Sequence, residues 1–302
     1  MSESPATRFG FVAVLGAPNA GKSTLMNKIV GAKVSIVSPK VQTTRARVLG
    51  IAIRGQTQIV FVDTPGIFEP KRRLDRAMVE AAWKGAADAD IIALVVDSER
   101  GYDANTRRIV EAEALPAGGA LLILNKIDRI ARTRLLILAD EINASGKIRD
   151  TFMISALDGD GVDDLAQYFA DNVPEGPWMF PEDQISDMPM RMMAAEAVRE
   201  QLFLQLHQEL PYALTVETEA WETLKDGSHK VSAVIIIERD SQKGMVLGKG
   251  GSRIKAVGEA ARFELEKMFG DRIHLFLHVK VRRDWKDRAE HYSVMGLDFP
   301  KG

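Results

Sequence analysis

From Phe9 to Asn172, short apolar runs alternate with stretches of helical spacing. The runs Phe9 to Leu15, Gln58 to Val62, Ile91 to Asp97 and Ala120 to Asn125 are dominated by Val, Ile, Leu and Phe, as strands buried on both faces are. Between them, Thr24 to Val30, Leu74 to Ala87, Asn105 to Leu115, Arg132 to Ala144 and Gly161 to Asn172 predict helices. Arg47 to Arg54 reads as a strand paired with Gln58 to Val62 around Gly55-Gln56, and Thr151 to Ile154 as a short last strand. This order predicts a mixed, mostly parallel α/β sheet with helices on both faces. Ligands bind such sheets at the carboxyl ends of the strands.

The rhythm breaks at Pro174. Four prolines from Pro174 to Pro189 cannot sit inside a continuing helix, so this stretch reads as a linker. Beyond it, Met190 to Leu210 has helical spacing, and Tyr212 to Trp221 and Lys230 to Glu238 alternate as strands around Lys225-Asp226-Gly227. A loop and a helix to Phe269 follow, then a third strand from Arg272 to Arg282. A chain of 302 residues exceeds what one core usually serves. Two domains are expected: 1–174, then a linker over 175–189, then a smaller α+β domain with its C-terminal tail over 190–302.

Composition changes this picture at three points. The chain lacks an apolar run of membrane-spanning length and a signal-peptide pattern, which places it in the cytoplasm by expectation. The absence of cysteine excludes disulfides and thiolate zinc sites. The net charge of −2 conceals an asymmetry. Residues 239–288 hold 13 Lys/Arg against 7 Asp/Glu, a net +6, which leaves 27 against 35, or −8, elsewhere. A basic C-terminal module on an acidic remainder suggests a polyanion partner at that end.

The carboxyl ends of the predicted strands carry the chemistry. Gly16, Ala17, Pro18, Asn19, Ala20, Gly21, Lys22, Ser23 and Thr24 follow the first strand as Gly-x-x-x-x-Gly-Lys-Ser and lead into a helix. That is a phosphate-binding loop, in which inward N–H groups and the helix dipole hold a polyphosphate. Lys22 would reach the terminal phosphates and Ser23 would ligate Mg²⁺. Ala32 to Arg45 is irregular, and a threonine within it, Thr44, is a candidate for the Mg²⁺ shell and a γ-phosphate contact. Asp63, Thr64, Pro65 and Gly66 close the third strand. Asp63 would hold Mg²⁺ from behind its ligands, and Gly66 would bring a backbone N–H to the γ-phosphate. Asn125, Lys126 and Asp128 form Asn-Lys-x-Asp. The Asp128 carboxylate can accept from guanine N1–H and the exocyclic amine, which adenine refuses, Asn125 suits the O6/N7 edge, and Lys126 would lie along the base. Ser155, Ala156 and Leu157 follow the last strand, where the Ala156 N–H is a candidate for O6. No water-orienting glutamine follows Gly66, because Ile67 and Phe68 stand there, so intrinsic turnover is expected to be slow.

In the second domain, Gly248, Lys249, Gly250 and Gly251 form a Gly-x-x-Gly loop opening a basic helix. KH domains clamp a single-stranded backbone with such a loop. Lys249, Arg253 and Lys255 supply charge, and Val246, Leu247, Ile254 and Val257 are expected to line a base groove. The alternative is a nucleoside triphosphatase whose KH-like module docks a protein. The ordered motifs resemble the translation-factor-related GTPases, and joined to this module they resemble the Era family of bacterial ribosome-associated GTPases. The resemblance implies a P-loop GTPase domain followed by a type II KH domain, GTP/GDP and Mg²⁺ as cofactors, and catalytic roles for Lys22, Ser23, Thr44 and Gly66. It also implies binding to the 3′ end of 16S ribosomal RNA, a role in 30S subunit assembly as a monomer, and peripheral contact with the inner membrane. The Asn19 form of the loop makes K⁺ a candidate further cofactor.

Overall fold

The computed structural model describes residues 7–38, 40, 44, 45, 47–207 and 209–300, which fall into two compact units. The first takes the described residues up to Ser35, Thr44–Asp187 and those from Tyr292 onward. The second takes those of Ile36–Thr43 and Met188–His291.

The first unit runs β1 (Arg8–Gly16), α1 (Lys22–Val30), β2 (Val48–Arg54), β3 (Thr57–Asp63), α2 (Arg73–Ala87), β4 (Ile91–Asp97), α3 (Ala104–Val110), β5 (Ala120–Asn125), α4 (Arg132–Asn143), β6 (Ile148–Ile154) and α5 (Val162–Asn172). Its six strands lie in the order β2-β3-β1-β4-β5-β6, with β2 antiparallel to β3 and the other neighbours parallel. Every residue of β4 and β5 is buried, as their continuous apolar runs require. Leu94 and Leu122 on adjacent strands pack with Ile109 of α3 and Ile142 of α4 in one core. Each such side chain contributes about 1.5–3 kcal/mol by leaving water. Helix α3 ends five residues before the Leu115 expected from its spacing. The N–H groups of Ala112 and Leu115 bond only three residues back, at 3.3 and 3.1 Å, and this tightening turns Leu115 into the core.

The proline-rich stretch is not a free tether. Ile51 N–H donates to Ile185 O at 2.9 Å, and the Gln58 side chain accepts from the N–H groups of Met179 and Phe180 while donating to Phe180 O. These contacts cover the exposed side of β2 and so protect an edge strand. The C-terminal tail belongs to the same unit, where Phe299 meets the Tyr292 ring edge to face and the Arg73 guanidinium at 5.0 Å.

The second unit runs α6 (Met190–Gln205), β7 (Leu214–Thr223), β8 (His229–Ile237), α7 (Asp240–Leu247), α8 (Ser252–Phe269) and β9 (Ile273–Val281), and a short α9 (Ala289–Val294) spans its end and the start of the tail. Helix α6 stops short of Leu210, and a 3₁₀ turn at Leu210–Ala213 with Pro211 at its start replaces the last expected turn. The sheet order is β7-β8-β9, with β7 antiparallel and β9 parallel to β8, the arrangement of a type II KH domain. Val257, Ala261 and Leu265, four residues apart on α8, bury one face. Among the described residues no helix is long and apolar enough to cross a membrane.

Candidate nucleotide and nucleic-acid sites

The loop after β1 turns on three residues of positive φ: Gly16 (153°), Asn19 (65°) and Gly21 (97°). A Cβ on Gly16 would stand 2.3 Å from Val95 O, and one on Gly21 2.2 Å from Asn125 Nδ2, so both positions demand glycine. Lys22, the first residue of α1, is buried and donates to Gly16 O and Ala17 O at 3.1 Å each. Burial lowers its pKa to about 8, against the opposing pull of Asp63.

Three hydroxyls converge on Asp63 at the end of β3. Its Oδ2 accepts from Ser23 Oγ at 2.7 Å, Ser35 Oγ at 2.7 Å and Thr44 Oγ1 at 3.2 Å, and Ser23 and Thr44 are themselves 3.0 Å apart. Asp63 is fully buried. Burial raises its pKa while Lys22 and the hydroxyls oppose the shift, and Oδ1 has no hydrogen-bond partner among the described residues. One carboxylate and three hydroxyls suit a small hard cation whose remaining ligands are phosphate oxygens and water, so the residues fit Mg²⁺. No nucleotide motif in the sequence marks Ser35. It is held by Asn27, whose Oδ1 accepts from the N–H groups of Val34 and Ser35 and whose Nδ2 donates to Ser35 O. Of the expected irregular segment, Gln42 and Thr43 lie outside the described residues. The loop beyond Asp63 lies against the phosphate loop. Thr64 Oγ1 donates to Val14 O at 2.8 Å, Ile67 N–H donates to Gly16 O at 3.1 Å, and a Cβ on Gly66 would meet Pro18 at 2.9 Å. Close approach to Pro18 is a second reason for glycine there. Ile67 is buried at 1 % exposure and cannot orient water.

At the end of β5, Asn125 makes three hydrogen bonds that tie the base loop to its neighbours. Nδ2 donates to Ala20 O at 2.8 Å, and Oδ1 accepts from Lys126 N–H at 2.8 Å and Ala156 N–H at 2.9 Å. The Ala156 N–H is thus held beside Asn125 at the end of β6. Asp128 lies in a 3₁₀ turn at Ile127–Arg129 with its carboxylate partly exposed and Arg129 Nε 3.7 Å away, accessible to a ligand edge. Lys126, in the left-handed region (φ 66°), donates to Asn19 O at 2.8 Å and to Asp97 Oδ2 at 2.5 Å. Ser155 Oγ donates to Asp158 and shapes the adjoining loop, from which Leu157 projects at 68 % exposure.

In the second unit, Gly248 (φ 74°) follows α7. A Cβ there would meet the Arg253 backbone N at 2.9 Å, whereas Gly250 and Gly251, also of positive φ, face open space. Lys249 and Lys255 are exposed, and Arg253 Nη1 donates to Met245 O at 2.6 Å, tying the loop to α7. Val246 and Val257 are corrected: both are fully buried in the core, because they lie on the faces of α7 and α8 turned to the sheet. The groove itself, about 460 Å³, lies between α8 and β9. Ile254, Gly258, Leu275 and Leu277 give it an apolar wall, while Lys255, Glu259, Arg262, His274 and Phe276 bring charge and two rings. Of these, the glycine-loop motif marks only Ile254 and Lys255. Lys255, Glu259 and Arg262 share one helix face through their i, i+4, i+7 spacing, a signal that was present.

Comparison with known proteins covers both units. Residues 11–126 match the family described as 50S ribosome-binding GTPase, and residues 209–286 match the KH domain. GTPase Era of Rhizobium meliloti (strain 1021) is 59 % identical over 295 residues, covering 98 % of this chain and 94 % of that protein. GTPase Era of Brucella suis biovar 1 (strain 1330) is 57 % identical over 299 residues, with 99 % and 96 % covered. The crystal structure of Era in complex with MgGDPNP and nucleotides 1506–1542 of 16S ribosomal RNA superimposes with a TM-score of 0.91 at 38 % identity, over 96 % of this chain and 99 % of that one. An Aquifex aeolicus Era variant bound to GDP·AlF4⁻ gives the same TM-score, identity and coverage. With a nucleotide loop, a type II KH fold and near full-length identity in agreement, the chain belongs to the Era family of GTPases.

Proposed function

We propose that this chain is a GTP-driven switch that binds the 3′ end of 16S ribosomal RNA through its KH groove and acts in assembly of the 30S subunit. The carrying observation is the convergence of Ser23, Ser35 and Thr44 on Oδ2 of Asp63, whose Oδ1 stays orphaned, beside Lys22 and on the same strand-end edge as Asp128. Phosphate and metal chemistry thus sit at the edge that carries a guanine-selective carboxylate. The structure of an Era relative with MgGDPNP and a 16S fragment supports both ligands by analogy.

Each residue has a task in this reading. Lys22 gives up the loop carbonyls it now holds and turns its ammonium to the β- and γ-phosphates. Ser23 and Thr44 would hold Mg²⁺ through their hydroxyls, with Asp63 supporting the ion from behind them. Bound Mg²⁺ supplies charge neutralisation on the phosphate oxygens. Gly66 presents its N–H to the γ-phosphate, and Asp128 accepts from the guanine edge. With Ile67 in the place of a polar side chain, unassisted turnover is about 10⁻⁴ to 10⁻² per second. K⁺ beside Asn19 would supply missing positive charge, and equal rates in K⁺ and Na⁺ would remove that element.

Two measurements test the proposal. An Asp128→Asn protein loses its preference for guanine by at least about a hundredfold, because a buried pair of donors is left unmatched; unchanged GTP binding overturns the base assignment. A short single-stranded RNA matching the 3′ end of the small-subunit RNA binds the protein loaded with a nonhydrolysable GTP analogue more tightly than the GDP form. Equal binding removes the switch, and no binding in either form makes the KH module a protein-docking fold.

A further inference from the structure

We infer that Asp97 is a positioning residue of the guanine site: its carboxylate fixes the Lys126 ammonium and, through it, ties the base loop to the phosphate loop at Asn19. This rests on the proposed guanine site, to which none of the motif readings assigned Asp97. The residue ends β4, and its strand partner in register is Asn125 of β5, so the fold sets it beside the base loop. It is 6 % exposed. Its two oxygens have separate duties. Oδ1 accepts from Glu99 N–H at 3.0 Å and closes the turn after β4, while Oδ2 takes the Lys126 ammonium at 2.5 Å. Arg100 Nε stands farther off, 3.7 Å from the same oxygen, on a half-exposed side chain. Lys126 spends a second proton on Asn19 O, 2.8 Å away, and both Lys126 and Asn19 hold left-handed backbone, a conformation that non-glycine residues keep only when contacts enforce it.

Two tethers therefore join the base loop to the phosphate loop: Asn125 Nδ2 to Ala20 O, and Lys126 Nζ to Asn19 O. Asp97 governs the second. Without its charge, Lys126 has a high-entropy stem and one neutral acceptor, and the stem no longer lies fixed where the base must stack. The consequence falls on nucleotide release, since the Asn19 carbonyl loses the partner that orients the loop.

The test is a double-mutant cycle on the full-length protein, read by release of a fluorescent GDP and by melting without nucleotide. Asp97→Asn keeps an Oδ1 acceptor for the Glu99 N–H and turns an uncharged amide toward Lys126, so it separates the two duties. Asp97→Ser, whose hydroxyl can also accept from Glu99 N–H, provides a second variant should the amide perturb folding. Each raises the release rate roughly tenfold to a hundredfold, the scale of one charge-assisted hydrogen bond. Lys126→Met does the same, the Asp97→Asn/Lys126→Met protein is no worse than the poorer single variant, and the nucleotide-free melting temperature of at least one Asp97 variant stays within about 3 °C of the parent. Unchanged release, or effects that multiply in the double variant, overturns the inference while leaving the guanine site standing. If the parent chain fails to bind GDP, the underlying site reading falls instead.

Discussion

Lys22 is the buried cation of the phosphate loop. Without nucleotide, burial lowers its pKa from 10.5 to about 8. Between pH 8 and 10.5 the unfolded chain holds a proton that the fold does not, so the stability of the nucleotide-free protein rises with pH over that window. Below pH 8 both states are protonated and the cost of burying the charge is borne in full. A polyphosphate reverses the balance by favouring the ammonium. Binding of GDP above pH 8 is therefore expected to take up a fraction of a proton, and affinity to fall by up to about tenfold per pH unit as the loop lysine must be recharged. Calorimetry at pH 8.5 in two buffers of different ionisation enthalpy reads the proton directly. Net proton release would remove Lys22 from the phosphates. Asp63 acts in the opposite sense: burial raises its pKa, and a cation at the orphaned Oδ1 would favour the carboxylate.

At the scale of elements, loops at strand ends were legible wherever chemistry fixes spacing. Gly16 to Ser23, Asp63 to Gly66 and Asn125 to Asp128 all stand at the carboxyl edge of one sheet, as the alternation of apolar runs implied. What spacing does not encode is cross-strand register. Asp97 meets Lys126 because β4 and β5 pair Asp97 with Asn125, and Ser35 meets Asp63 because Asn27 holds its backbone. No local pattern announces either. The same limit explains Val246: helical spacing marks it as apolar, but only the packed sheet shows it turned to the core. The glycine loop divides in a way the motif conceals. Gly248 is pressed against Arg253, whereas Gly251 faces open space at φ 80°. Asp tolerates left-handed backbone better than most residues. A Gly251→Asp protein is thus expected to lose no more than about 1–2 kcal/mol of stability and to lose RNA binding through charge repulsion. Melting and RNA titration on the same preparation separate these effects, and retained binding would mean that the loop does not touch phosphate. Phe276, 54 % exposed at the groove, makes the complementary case for stacking. Phe276→Ala should weaken single-stranded RNA by about 1–3 kcal/mol without changing nucleotide affinity, and an unaltered RNA affinity would leave the groove to another ligand.

For the whole molecule, charge distribution decides between an RNA and a protein at the KH groove. A near-neutral chain gives no net attraction to a polyanion, yet residues 239–288 carry a net +6 against −8 elsewhere. The acidic remainder repels nucleic acid at long range, so binding must come from local contacts within about a Debye length, roughly 8 Å at physiological salt. Lys249, Arg253, Lys255 and Arg262 cluster at the glycine loop and groove. If these four neutralise four phosphates, the logarithm of RNA affinity falls with the logarithm of salt at a slope of about −3, from roughly 0.7 counterions released per single-strand contact. Lys249→Gln and Arg262→Gln are each expected to lower the magnitude of that slope by about 0.7 and to weaken all sequences alike, since a phosphate contact carries no base information. A protein ligand held by the apolar wall of Ile254, Leu275 and Leu277 would behave differently. Its affinity would be nearly flat in salt, because hydrophobic burial does not release counterions. Titrating a 16S-like single strand from 50 to 300 mM KCl distinguishes the two. A slope shallower than about −1 would place the basic cluster outside the interface and return the groove to a protein partner.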